Sequence, residues 1–298
     1  MIALALIREE TADVTGLRAA LARRGHTAIT AVPQQISVRL DGGVGLRVDG
    51  EPVEPDVALG WVSLHERERG AWLLAACELA GIPVVNGAAI LGAGQNKFIA
   101  SARMAALGIP HIPTWLVGRR ADLEPALAAL GLPVVVKPLV GAKGYGVRRL
   151  DTRDAVEDAV APAFAAGDPV YLQAHIDKPG RDIRVRVIDG VADFAFYRYA
   201  AEGAFLTNLS AGGRWEPCPL DPPLVALAES CARSFDAPIA GVDVLEDKHG
   251  ALRVIELNVT PAITWPHEGT VELVCDLLER RARPTPTPRH DHNHHPQP

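Results

Sequence analysis

Two late segments place carboxylates where apolar residues are expected. Gly241-Val242-Asp243-Val244-Leu245 sets one inside a valine-rich run, and Arg253-Val254-Ile255-Glu256-Leu257-Asn258 sets a glutamate and an asparagine two residues apart. If both segments are strands, a period of two puts Glu256 and Asn258 on one face, and pairing brings Asp243 opposite them. Two carboxylates and one amide oxygen form a hard-oxygen set suited to Mg²⁺ (or Mn²⁺), with nucleotide phosphates completing the shell. The plain alternative is a solvent-facing strand side, but the surrounding Val242, Val244, Val254, Ile255 and Leu257 leave no clear exposed face.

A second cluster lies upstream. The run Val134-Val135-Val136-Lys137-Pro138-Leu139-Val140 leads into Gly141-Ala142-Lys143-Gly144-Tyr145-Gly146. A lysine closing an apolar strand needs a partner, and the glycines that follow let backbone N–H groups close over phosphate oxygens. The loop lacks the Gly-Lys-Ser/Thr of a Walker A motif, and no helix opens on it as in a dinucleotide fingerprint. A plain β-turn is the alternative. A third cluster, Arg181-Asp182-Ile183-Arg184-Val185-Arg186 followed by Arg198, Thr207 and Asn208, puts Asp182, Arg184 and Arg186 on one strand face. Guanidinium groups suit a phosphoryl or acyl-phosphate transition state. Arg184, beside Asp182, is the better functional candidate; Arg186 reads as a salt-bridged residue on the exposed face of an edge strand. Nucleophilic catalysis finds little support: there is no Gly-x-Ser-x-Gly elbow, and His175 and His267 stand alone.

The elements that must position these residues follow from periodicity and punctuation. Strands at Ile2–Ile7, 26–32, Val57–Trp61 and 83–85 alternate with helices at 15–24 and 66–80, which predicts a small parallel sheet; residues 41–55, rich in Gly, Asp and Pro, read as a hairpin. A helix over 96–107 precedes strands at Thr114–Val117 and Val134–Lys137, a helix over 122–130 between them, a strand at 147–150 and a helix over 153–165. Strands at 170–176, 182–188 and Val191–Tyr199 read as an antiparallel meander. A helix over 224–235, strands at 239–245 and 252–257, and a helix over 270–281 complete the chain. From Pro284 nothing is apolar, and residues 284–298 are expected to be a disordered, solvated tail whose histidines could bind a transition metal loosely.

Composition sets outer limits. The chain has 298 residues, 48% hydrophobic and 22% charged, with a formal net charge of −6. The apolar fraction excludes disorder for most of it, and the acidic balance gives no general attraction to nucleic acid. Its longest apolar runs fall far short of the roughly 20 residues that a bilayer requires, and the first residues lack an export signal. Four scattered cysteines, Cys77, Cys218, Cys231 and Cys275, read as reduced, buried thiols of a cytoplasmic protein. Only five of the thirty basic residues are lysines: Lys97, Lys137, Lys143, Lys178 and Lys248.

In order along the chain, Asn96-Lys97, Val136-Lys137-Pro138-Leu139 with the 141–146 loop, Gln173-Ala174-His175-Ile176, Asp182-Ile183-Arg184-Val185, Arg198, Asn208, Gly241-Val242-Asp243 and Glu256-Leu257-Asn258-Val259-Thr260-Pro261 resemble the ATP-grasp superfamily. The likeness is greatest to its carboxylate–amine ligases of the RimK type. The resemblance implies an α/β and α+β chain: two α+β lobes clamping ATP, preceded by a small parallel-sheet domain. The boundaries would be 1–92 for the leading domain, 93–170 for the first lobe with its Gly-rich lid, 171–283 for the second lobe with its metal site, and 284–298 for the tail.

The resemblance further implies that Lys97, Lys137 and the lid residues Lys143, Gly144 and Gly146 hold the ATP phosphates. Gln173, Ala174, His175 and Ile176 would form the hinge that reads adenine, and Asp182 would hold the ribose. Arg184, Arg198 and Asn208 would face the transferred phosphate, and Asp243, Glu256 and Asn258 would ligate Mg²⁺. The implied reaction is amide formation through an acyl-phosphate, joining an amino acid such as glutamate to a carboxylate on a small molecule, peptide or protein, in the cytoplasm and without nucleic acid or membrane. Related ligases often associate, so a homo-oligomer is within that expectation. Two departures bear on the substrate: Ala262 follows the last proline where the family has Gly, and Leu206 replaces a basic residue; a third, Ala174 in place of the usual hinge Glu, leaves a backbone contact intact. An ATP-grasp kinase, a leader-guided peptide macrocyclase and a non-catalytic nucleotide-binding regulator are the rival readings.

Overall fold

The computed structural model describes residues 1–7, 9–141, 144–201, 207 and 213–283. Its first sheet is parallel, in the order β2-β1-β6-β7, built from β1 (Ile2–Ile7), β2 (Thr27–Ala31), β6 (Val57–Trp61) and β7 (Val84–Val85). The connections α1 (Ala12–Arg23) and α2 (Arg67–Leu79) supply the crossovers that parallel pairing demands. The expected hairpin at 41–55 is instead part of a three-stranded antiparallel sheet, β3 (Ile36–Arg39), β4 (Gly45–Val48) and β5 (Glu51–Val53). Its tight turn is Asp49-Gly50, with φ of 49° and 85°, the left-handed pair that a two-residue hairpin requires. The first strand falls outside the expected hairpin because its apolar positions, Ile36 and Val38, precede the turn-rich stretch.

Two helices follow. α3 (Ala88–Gln95) has no counterpart in the sequence reading, since Gly92 and Gly94 depress helix propensity. Gly94 is there for contact: a Cβ would lie 2.3 Å from Val259 Cγ1. α4 (Lys97–Ala106) starts where Asn96 Oδ1 accepts from the N–H groups of Phe98 and Ile99, both at 3.1 Å, a side-chain N-cap that fixes Lys97 as the first helical residue.

A second four-stranded sheet, all antiparallel, has the order β10-β9-β11-β8 from β8 (Thr114–Val117), β9 (Val134–Lys137), β10 (Arg148–Leu150) and β11 (Val170–Ala174). With α5 (Leu123–Leu130) and α6 (Arg153–Ala166) it encloses its own apolar core, including Val117, Leu127, Val134, Val160 and Leu172.

The last sheet is five-stranded and antiparallel, in the order β14-β13-β12-β15-β16: β12 (Arg181–Ile188), β13 (Val191–Tyr199), β14 (Arg214–Pro217), β15 (Ile239–Glu246) and β16 (Leu252–Asn258). β14 has no counterpart in the sequence reading; all four of its residues are exposed, so it lacks the alternation that marks a half-buried strand. One face packs Val185, Val187, Val242 and Val244 against α7 (Pro222–Ser234). That core is continuous with Leu4, Ala58 and Leu74 of the parallel-sheet unit. α8 (Gly269–Arg281) lies against α1, where Val271, Val274 and Cys275 join Val14, Leu17 and Leu21 in one cluster. Buried Asn86 ties the two sheets together: its Nδ2 donates to the carbonyls of Ile239 and Val259, both at 2.7 Å, and its Oδ1 accepts from the Ile239 N–H. All four cysteines are buried and unpaired. Among the described residues, no helix is long and apolar enough to cross a membrane.

Candidate functional site

The polar face of the five-stranded sheet collects the chemistry. In register across the strands, Arg198 faces Asp182, Phe196 faces Arg184, Arg184 faces Asp243, and Asp243 faces Glu256, while Asn258 pairs with Gly241 one step further along. Period-two alternation therefore puts Asp182, Arg184, Arg186, Asp243, Glu256 and Asn258 on one side. A bulge after Asp243 makes Ile255 the extra residue on β16, so that Ile255 and Glu256 both line the same cavity.

That cavity, with about 820 Å³ of atom-free space, lies between this face and the sheet of β8–β11. It brings together Lys97, Lys137, Gly144, Gln173, Ala174, His175, Ile176, Asp182, Arg198, Asp243 and Glu256 from the sequence reading. Arg184, Gly146 and Asn258 do not line it; Lys143, Asn208, Leu206 and residues 284–298 lie outside the described residues. Residues the sequence reading did not assign to the site also line it: Ile112, Leu245 and Ile255 give apolar wall, and Lys178 and Thr207 give polar wall. Lys178 had a usable signal in the scarcity of lysine, for three of the chain's five lysines meet here.

The three ammonium groups are held differently. Lys97 Nζ donates to the Gly141 carbonyl at 2.6 Å, and Lys178 Nζ donates to Thr207 Oγ1 at 3.4 Å. Lys137, at the end of β9, loses hydration in the cavity and is pushed down to about 8; the Glu256 carboxylate opposes this shift, and Lys97 and Lys178 add to it. Burial likewise lowers Lys178. Desolvated ammonium groups facing one cavity favour an anionic ligand there, and polyphosphate is of that chemistry.

The carboxylates are also unequal. Asp243 is paired with Arg184 through both oxygens and with Arg198 at 2.8 Å; burial alone would raise it, but the two guanidinium groups hold it at about 2. Asp182 accepts from Arg198 Nε at 2.7 Å and from Thr207 Oγ1. Glu256 has no hydrogen-bond or ion-pair partner among the described residues. Among those residues no three His, Cys, Asp or Glu side chains gather as a metal cluster. The donor chemistry nevertheless suits a hard cation: Glu256 is uncommitted, Asp243 has about four acceptor positions and uses three, and Asn258 Oδ1 accepts from the Thr260 N–H at 2.9 Å and, more weakly, from the Thr260 hydroxyl at 3.4 Å, a bond that a cation would displace.

At the far end, the Ala174 and His175 N–H groups are spent on the carbonyls of Pro113 and Pro133. This leaves the Ile176 amide as the one in that stretch without a partner among the described residues. Gln173 donates through Nε2 to Thr114 Oγ1 and Tyr171 Oη, and its buried Oε1 has no partner among the described residues. An acceptor so placed in an apolar-walled slot needs a donor from a ligand.

Arg186 corrects the sequence reading. It is neither exposed nor on an edge strand: β12 is central, Arg186 is 2% exposed, and its guanidinium pairs with Asp193 at 3.1 Å and donates to the carbonyls of Ala262, Trp265 and His267.

The chain belongs to the RimK-like ATP-grasp family, whose domain model matches residues 94–278. It is an ATP-dependent ligase. It is 30% identical over 221 residues to a probable alpha-L-glutamate ligase of Thioalkalivibrio sulfidiphilus, covering 72% of this chain and 73% of that one. It is 33% identical over 219 residues to the tetrahydromethanopterin:alpha-L-glutamate ligase of Methanosarcina acetivorans, covering 64% and 67%. The fold matches that of the ATP-grasp ligase PsnB complexed with minimal precursor, with a TM-score of 0.74 at 21% identity over 94% of this chain and 99% of that one. PsnB has also been solved with Mg and ADP.

Proposed function

We propose that the protein is a Mg²⁺- and ATP-dependent carboxylate–amine ligase that clamps ATP between the β8–β11 lobe and the five-stranded sheet. The observation that carries this reading is the meeting of Lys97, Lys137 and Lys178 with Asp243 and Glu256 in one cavity between two sheets. In this reading the lysines bind the triphosphate, Gln173 Oε1 and the Ile176 amide meet the adenine edge, and Asp182 lies towards the ribose. Gly144 and Gly146, with Lys143, belong to the covering lid.

Asp243, Glu256 and Asn258 would hold Mg²⁺, which when bound neutralises charge on the transferred phosphoryl group. An oxygen of the substrate carboxylate attacks the γ-phosphorus, and the bond to the β-phosphate oxygen breaks with its electron pair leaving on ADP. The amine then attacks the acyl carbon; inorganic phosphate departs and the nitrogen gives up a proton. Arg184 and Arg198, with Asn208, stabilise the anionic oxygens of both steps. Closure over the cavity keeps water from the acyl-phosphate.

The glutamate ligases among the relatives favour glutamate as the amine, joined to a carboxylate of a small molecule or peptide. The test is ADP release with hydroxylamine as the trapping amine. Each turnover should yield one hydroxamate, and Glu256→Ala should abolish both products. ADP formed with a stable phosphorylated product and no hydroxamate would refute the ligase reading in favour of a kinase.

A further inference from the structure

On the same sheet face a second cavity adjoins the first, and Arg198 lines both. Its other walls are Arg184, Arg186, Phe196, Pro261, Ala262 and Trp265. Arg184 and Arg198 commit their Nε and Nη2 atoms to Asp243 and Asp182, and the Nη1 of each makes no hydrogen bond among the described residues. Gly241 gives Arg184 Nη1 its space, since a Cβ there would lie 3.2 Å from it. Two spare guanidinium donors on adjacent strands suit one carboxylate.

The facing wall is aromatic. The Trp265 ring centre is 5.5 Å from Phe196 and 5.3 Å from Trp215, and the three rings pack edge-to-face at 77–80°. Phe196 is buried, whereas Trp265 is 42% and Trp215 36% exposed, so indole surface stays open. The segment carrying Trp265 is fixed from both sides. Asp13 Oδ1 accepts from the N–H groups of Ile263 and Thr264 and from Thr264 Oγ1, at 2.7–2.9 Å. Arg186 holds three carbonyls of the same segment.

We infer that this cavity receives the acid to be activated, and that this acid carries an aryl or bulky apolar group beside its carboxylate, with Trp265 as the specificity-determining residue. The inference rests on the ligase reading above. A second carboxylate, as on a glutamyl side chain, would meet the negative faces of the rings; glutamate then enters the reaction as the amine. Asp13 is a positioning residue for the Trp265 wall.

The test compares N-acetylphenylalanine, N-acetylleucine, N-acetylalanine and N-acetylglutamate as acids, with ATP, Mg²⁺ and hydroxylamine. The first two should exceed the last two in kcat/KM by about tenfold or more, the discrimination an apolar pocket can provide. Trp265→Ala should erase that preference through KM for the acid, with KM for ATP unchanged. Asp13→Asn should raise the same KM and leave kcat and KM for ATP near wild type. Equal or better turnover of N-acetylglutamate, or a preference that survives Trp265→Ala, overturns the inference. A second readout is quenching of tryptophan fluorescence by N-acetylphenylalanine. If no acid releases ADP, the ligase reading fails, and saturable quenching lost in Trp265→Ala still supports the pocket, whereas absent quenching overturns it.

Discussion

Lys137 shows what an ammonium group loses at the end of an apolar strand. Its folded-state value, about 8, lies below the ordinary 10.5, so the charged form is the disfavoured one. The penalty is present below pH 8 and vanishes as the pH rises through the window from 8 to 10.5. Lys137→Met should therefore raise the Tm of the nucleotide-free protein at pH 7, by up to about 3 kcal/mol of stability, while abolishing ATP turnover. In the wild type, kcat/KM for ATP should fall about tenfold per unit above pH 8 as the free enzyme loses this charge, and Lys137→Arg should move that limb upward. The two carboxylates should separate in the opposite sense. Glu256→Gln should lower Tm only modestly, since Glu256 makes no hydrogen bond or ion pair among the described residues and only its field favours the Lys137 ammonium, yet it should lower kcat at least a hundredfold. Asp243→Asn leaves Arg184 and Arg198 without their shared anion and should cost about 3–5 kcal/mol by denaturant titration. The wild-type contribution of Asp243 is present above its ordinary value near 4 and is lost as pH falls towards 2.

At the scale of elements, close approach decides much of the architecture. Gly94→Ala should push α3 off Val259 and destabilise by about 1–3 kcal/mol in a melt, because a Cβ at 2.3 Å cannot be relieved by a side-chain rotation of its own. The elements legible in the sequence were those with a clean period. β9 and β13 match their expected bounds, because Val134–Lys137 and Val191–Tyr199 are bracketed by punctuation and filled with strand formers. The facing of Asp243 and Glu256 was legible too, since alternation fixes it once the strands pair. What was illegible depends on tertiary contact. The glycines of α3 argue against a helix unless Val259 is known to lie beside it, and the bulge that brings Ile255 into the cavity beside Glu256 leaves no mark in a valine-rich strand. Arg186 reads as exposed in the sequence because its partners, the carbonyls of Ala262, Trp265 and His267, are about 80 residues away.

Across the whole molecule, the apolar clusters divide unevenly. The sheet of β8–β11 owns a separate core, whereas the parallel sheet and the five-stranded sheet share theirs, with Asn86 bridging them. Asn86→Ala should strip three buried hydrogen bonds and lower the melting transition of the shared body by about 3 kcal/mol or more, while the protection of α6 and β9 in hydrogen exchange stays as in wild type. Protection of β9 should rise in wild type when Mg²⁺ and a non-hydrolysable ATP analogue are added. The contact between α1 and α8 has a further consequence, in time rather than space. Leu17 and Leu21 must wait for Val274 and Leu278, made ~250 residues afterwards. At about 5–20 residues per second, a ribosome leaves the α8-facing side of that stripe uncovered for about 12–50 s, while its sheet-facing side can pack early. The opening unit of this chain is thus among the last to close, and a holdase that shields α1 during translation should raise the yield of active protein.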